Sequence, residues 1–118
     1  MSISAQAVDV VYGRPAAGVQ VRLQRKISDL GHELDDWVTV DHAETDHEGY
    51  VRAWTEKRLG RGPYQLVFDS NAYFATLGLS TAYKEVSVVV RLTGESDSCQ
   101  VQVRLAPYSY SMYFGFRD

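Results

Sequence analysis

From Gln100 to Leu105 apolar and polar residues alternate without a break. Successive side chains of a strand point to opposite faces, so Val101, Val103 and Leu105 are predicted to sit on a core. The other face of that strand carries Gln100, Gln102 and Arg104, two amides and a guanidinium side by side. Ala106-Pro107 breaks the run, and a second alternating strand follows. Tyr108, Tyr110, Met112 and Phe114 share one of its faces; Ser109, Ser111 and Tyr113 share the other. Both faces carry an aromatic ring, so neither reads as plain solvent surface. Aromatics beside amides and an arginine suggest an interface or a pocket.

The same period-two pattern recurs upstream. Ile3 to Val11 predicts a strand with Gln6, Val8 and Val10 on one face and Ala5, Ala7 and Asp9 on the other, small residues that suit close sheet packing. Tyr12 to Gly18 is turn chemistry, and Val19 to Gln24 is a strand with Val19, Val21 and Leu23 facing in. Arg25 to Asp36 is polar and reads as a loop or frayed hairpin. Trp37 to His42 and Tyr50 to Thr55 are expected strands, separated by a turn at Thr45–Gly49 in which Gly49 supplies the positive φ. A turn at 58–63 leads to a strand from Tyr64 to Asp69 with Tyr64, Leu66 and Phe68 aligned. Ser70 to Gly78 has helical spacing, a cap at Asp69 or Ser70 and a stop at Gly78. Glu85 to Leu92 is rich in β-branched residues and predicts another strand, with a loop at 94–98 before the last pair. About eight short strands and one short helix is the pattern of an all-β sandwich.

With 118 residues, one domain spanning 1–118 is expected, large enough to bury a core without staples. The net charge of -3 argues against a nucleic-acid partner. No apolar stretch approaches the ~20 residues that span a bilayer, so no membrane partner is expected. Cys99 is the only cysteine, which excludes an internal disulfide and fits a reducing compartment. No signal peptide is read at the N-terminus, so the expected location is cytoplasmic.

The histidines are His32, His42 and His47. None has zinc-ligand spacing, so no metal and no cofactor is expected. His32 and His42 read as surface residues. His47 lies in the turn beside Asp46 and Glu48 and near Tyr50, within reach of a pocket. Cys99 stands two positions before Val101, on the same inward face, and reads as a small buried apolar group. Gly60-Arg-Gly62 is too short for a phosphate loop and precedes no helix.

Pro107-Tyr-Ser-Tyr-Ser111 is the most specific phrase in the chain, and it resembles the C-terminal signature of the transthyretin and hydroxyisourate hydrolase family. Ala7 to Val19, Thr45-Asp-His-Glu-Gly49 and Tyr73-Phe-Ala-Thr-Leu-Gly-Leu-Ser80 are similar to the family's N-terminal stretch, central turn and short helix. The resemblance implies a transthyretin-like sandwich of two four-stranded sheets. It also implies a homotetramer, a dimer of dimers with a channel holding a small-molecule ligand. The Gln100–Arg104 strand is expected to face that channel.

The hydrolase pattern is broken at its functional positions. The hydrolases' histidine of the first strand is Gln6 here, and the arginine after the central-turn glycine is Tyr50. Their histidine of the penultimate strand is Gln100, and the terminal Tyr-Arg-Gly-Ser becomes Tyr113, Phe114, Gly115 and Phe116. Glutamine has no group that titrates near neutral pH and does not replace an imidazole base. The resemblance therefore implies a rebuilt site. Tyr50, Gln100, Arg104 and Tyr113 are its expected catalytic residues; Gln6, Val8, His47, Gln102, Ser111 and Phe114 are its expected ligand-binding residues.

Three functions fit. The first is a repurposed enzyme that hydrolyses, isomerises or cyclises a planar, oxygen-rich intermediate of a specialised pathway. The second is a non-catalytic binder of the transthyretin kind. The third is a hydroxyisourate hydrolase working with substitute residues.

Overall fold

The computed structural model describes residues 2–27, 36–54, 59–93 and 98–117. His32 and the loop expected at 94–97 lie outside these residues. Two sheets face each other. Sheet A runs in the order β2 (Arg14–Pro15), β1 (Ser2–Asp9), β8 (Ser98–Leu105), β9 (Tyr110–Arg117), and β5 (Tyr50–Val51) also pairs with β1. Sheet B runs β4 (Asp36–Glu44), β3 (Gln20–Ile27), β6 (Gly62–Phe68), β7 (Val86–Leu92). Among the described residues all pairings are antiparallel except β1 with β8.

The core lies between the sheets and is supplied by the alternation. Ile3, Ala5 and Ala7 of β1 meet Cys99, Val101, Val103 and Leu105 of β8, and all are buried. Val21 and Leu23 of β3, Tyr64, Leu66 and Phe68 of β6, and Val86, Val88, Val90 and Leu92 of β7 close it from sheet B. Helix α1 (Ser70–Thr76) follows β6 directly; Asp69 caps it by accepting the Ala72 N–H, and Gly78 ends it at φ +74°. Tyr73 and Phe74 are buried on its inner side.

Two expectations are corrected. Of the strand expected over Tyr50 to Thr55, only Tyr50–Val51 pairs with β1 among the described residues, because the chain then turns to bury Trp54. Arg52 to Trp54 lie outside the ladder, and Trp54 is buried with its indole N–H donating to Ile3 O at 2.8 Å. The strand expected over Trp37 to His42 is longer, Asp36–Glu44, because its pairing with β3 continues to Gln20 at one end and Ile27 at the other. No helix among the described residues is long and apolar enough to cross a membrane.

Candidate functional site

Register brings distant polar residues into rows on the outer face of sheet A. Tyr50 pairs with Gln6, Gln6 with Gln102, and Gln102 with Tyr113. Directly paired residues project to the same face, so the central row reads Tyr50, Gln6, Gln102, Tyr113, with neighbouring strands ~4.8 Å apart. On one side lies the row Ser4, Gln100, Gly115; on the other, Val8, Arg104, Ser111.

The two central amides are bonded to each other: Gln102 Nε2 donates to Gln6 Oε1 at 2.8 Å. Such a pair always leaves an N–H on one amide and a carbonyl lone pair on the other, whichever way the amides are oriented. Tyr113 lies along its own strand, so that a Cβ at Gly115 would stand 3.2 Å from its Cε1 and 3.4 Å from its Oη. Glycine there leaves room for the phenol beside Gln100.

Tyr50 is delivered by the turn before it. Asp46 Oδ1 accepts the N–H of Glu48 and of Tyr50, both at 2.9 Å. The Tyr50 N–H is the main reason the Asp46 carboxyl titrates below its ordinary range, helped by Glu48 N–H and the Arg52 guanidinium and opposed by desolvation. Gly49, at φ +82°, packs its Cα side against β1; a Cβ there would come within 2.5 Å of Ala7 O. Its carbonyl accepts the Ala7 N–H at 2.8 Å. Behind the turn, buried Thr45 donates to Ala16 O and accepts the Val19 N–H.

The chain from residue 3 to residue 115 matches the model of the HIUase/Transthyretin family. The protein belongs to that family. It is 32% identical over 114 residues to a 5-hydroxyisourate hydrolase of Salmonella dublin, covering 96% of this chain and 79% of that protein. It is 29% identical over 114 residues to the 5-hydroxyisourate hydrolase of Mus musculus, covering 96% and 93%. Sea bream transthyretin, solved in complex with thyroxine, superposes with a TM-score of 0.88 at 24% identity over 99% of this chain and 97% of that one. The last likeness establishes the sandwich fold.

Within this family member, Gln6, Val8, Tyr50, Gln100, Gln102, Arg104, Ser111 and Tyr113 all fall on one face. Phe114 does not. It pairs with Val101 on the core side and packs against the core, because it is one residue out of step with Tyr113. It lines a groove of about 270 Å³ at the open edge of the sandwich with Val89, Val90, Arg91 and Met112. His47 also departs from expectation. Its side chain is 88% exposed and its Nε2 stands 3.5 Å from Glu48 Oε1, in the turn rather than over the amide row. The backbone of Phe116 pairs with Cys99.

One residue went unnoticed in the sequence. Arg52 stacks its guanidinium over the Tyr50 ring, with Cζ 4.1 Å from the centroid. The signal was the spacing: position 52 is two residues past 50, and acids stand at 46 and 48. Among the described residues no three His, Cys, Asp or Glu side chains come together as a metal site.

Proposed function

We propose that the outer face of sheet A is a small-molecule site rebuilt around amides and phenols, and that the protein is a repurposed small-molecule enzyme of its family. The observation that carries this reading is the bonded Gln6–Gln102 pair, set between Tyr50 and Tyr113 in one row. The pair keeps free N–H groups and free carbonyl lone pairs for a flat guest that carries carbonyl oxygens and N–H or O–H groups. Tyr50 and Tyr113 add phenol donors at the two ends. Arg104, exposed one row away, supplies a planar cation suited to a polarised carbonyl or enolate. Turnover then runs on carbonyl polarisation and phenol proton donation. Gln6 and Gln100 orient the substrate and take no proton. A homotetramer with two such faces across a channel, in the cytoplasm, belongs to the same proposal.

A second reading, hydrolysis of 5-hydroxyisourate, is favoured by the names of the relatives at about 30% identity. Following the absorbance decay of freshly made 5-hydroxyisourate separates the two. A missing general base typically costs ~10²–10⁴ in rate, so the repurposed site is expected to be slower than a family hydrolase by that order. Equal rates would establish the second reading. Light scattering that gave a monomer at micromolar concentration would remove the channel. Tight binding of a heterocycle with no conversion would make the protein a carrier.

A further inference from the structure

Beyond the central row, the outer face of sheet A ends in a polar cleft. Ser2 and Ser4 continue the β1 alternation that carries Gln6, and Ser98 opens β8 opposite Ser2. These serines, with Ile3, Tyr50 and Arg52, line a cleft of about 180 Å³. Ser2 Oγ donates to Ser98 Oγ at 2.9 Å, which leaves the Ser98 hydroxyl proton and the Ser2 lone pairs for a guest. Ser4 Oγ reaches Cys99 O only at 3.5 Å, a long bond that a better partner displaces.

Charge decides the class of guest. Arg52 Nη2 stands 3.0 Å from Glu48 Oε2 and its Nε 3.8 Å from Asp46 Oδ2. Arg52 is the one charged side chain among the described lining residues, and the two carboxylates beside it bring that group to a charge of -1, so it is already engaged rather than held out for a phosphate or carboxylate. What it has is hydroxyls that both donate and accept, beside an aromatic ring held in place by its stacked guanidinium. That set complements neighbouring hydroxyl groups on a neutral molecule.

We propose that this cleft binds a neutral polyhydroxylated group, a sugar ring or polyol, carried by the ligand whose flat part lies on the amide row. The inference rests on the reading of that row as the ligand floor. Successive outer positions along a strand are ~7 Å apart, so a sugar ring joined directly to a flat group on the Gln6–Gln102 row reaches the neighbouring Ser4–Gln100 row.

The test uses two neutral probes, 4-methylumbelliferyl β-D-glucoside and 7-methoxy-4-methylcoumarin, titrated into the full chain by fluorescence and followed by backbone amide shifts of the labelled protein. The glucoside is expected to bind at least tenfold tighter. It should move the amides of Ser4, Arg52 and Ser98, while both probes move those of Gln6 and Gln102. The double variant Ser4→Val, Ser98→Ala is expected to lose the gain and keep the affinity for the methoxycoumarin, which also reports that it is folded. No gain for the glucoside, or a gain that survives in the double variant, overturns the cleft and leaves the amide row standing. Shifts at Ser4 and Ser98 without any at Gln6 and Gln102 support the cleft and overturn the row. Silence from both probes overturns both.

Discussion

Tyr73 Oη donates to Asp9 Oδ2 at 2.7 Å, tying helix α1 to the end of β1 through a fully buried carboxylate. The other oxygen of Asp9 accepts the N–H groups of Val11 and Tyr12 and so forms the turn that leads to β2. Tyr73→Phe leaves one buried carboxylate oxygen without its donor. Urea unfolding is expected to show a loss of about 1–3 kcal/mol, the usual cost of an orphaned buried polar group.

The same contact sets a pH dependence at the alkaline end. Burial, followed by the hydrogen bond to Asp9 and its charge, pushes the Tyr73 pKa up from 10.0 to about 12. Between those values the unfolded chain gives up the proton first, so the native state holds more protons and stability falls as pH rises. The stabilisation is complete below pH ~10 and lost as pH passes the folded value. Urea midpoints at pH 9 and pH 11 should differ less in Tyr73→Phe than in the parent. Tyr83, whose pKa is raised mainly by burial, keeps part of the slope in the variant.

Thr45→Val keeps the shape of the side chain and removes both its bonds. Ala16 O and the Val19 N–H, held at 2.7 and 2.8 Å, are then left buried and unpaired. Each such group costs about 1–3 kcal/mol. Calorimetry should show one of the larger losses available to a single methyl-for-hydroxyl change in this chain.

Gly49→Ala is expected to damage both stability and the site. The left-handed conformation alone costs an L-residue ~1–2 kcal/mol. A Cβ 2.5 Å from Ala7 O forces the backbone to move as well. Because Tyr50 is the next residue, its amide resonance should shift and its pairing with Gln6 weaken, as read by hydrogen exchange.

Arg104→Met and Gln100→Ala test the proposed ligand face. Both side chains lie on the outer side of sheet A, away from the core, so the fold should persist. Binding or turnover of the ligand is expected to fall at least tenfold, about 1.4 kcal/mol. If both variants behave like the parent, this face is not the site.

Much of the layering was legible in the chain. The alternation at Gln100 to Leu105 separated a core face from a polar one, and Val101, Val103 and Leu105 are all buried. Val19, Val21 and Leu23 behaved likewise, as did the helix capped by Asp69. For β9 the alternation sorted Tyr113 from Phe114 but did not say which of them met the core. That depended on Val101 lying opposite Phe114. The Tyr50 segment shows the opposite failure. Its residues favour a strand, yet among the described ones only Tyr50 and Val51 pair, because Trp54 turns into the core and donates to Ile3 O.

The sequence by itself determined the class of fold, the inward residues of each main strand, the capped helix and the family. These follow from a side-chain period of two or 3.6 and from motifs that short stretches carry alone. Only the tertiary structure decided that Gln6 would bond Gln102, 96 positions away. Only it put Arg52 over Tyr50, placed Ser2 beside Ser98 and turned Phe114 inward. Each of these depends on register between strands or on the path of a turn. Register is set by the packing of the whole core, and no local stretch of chain contains it.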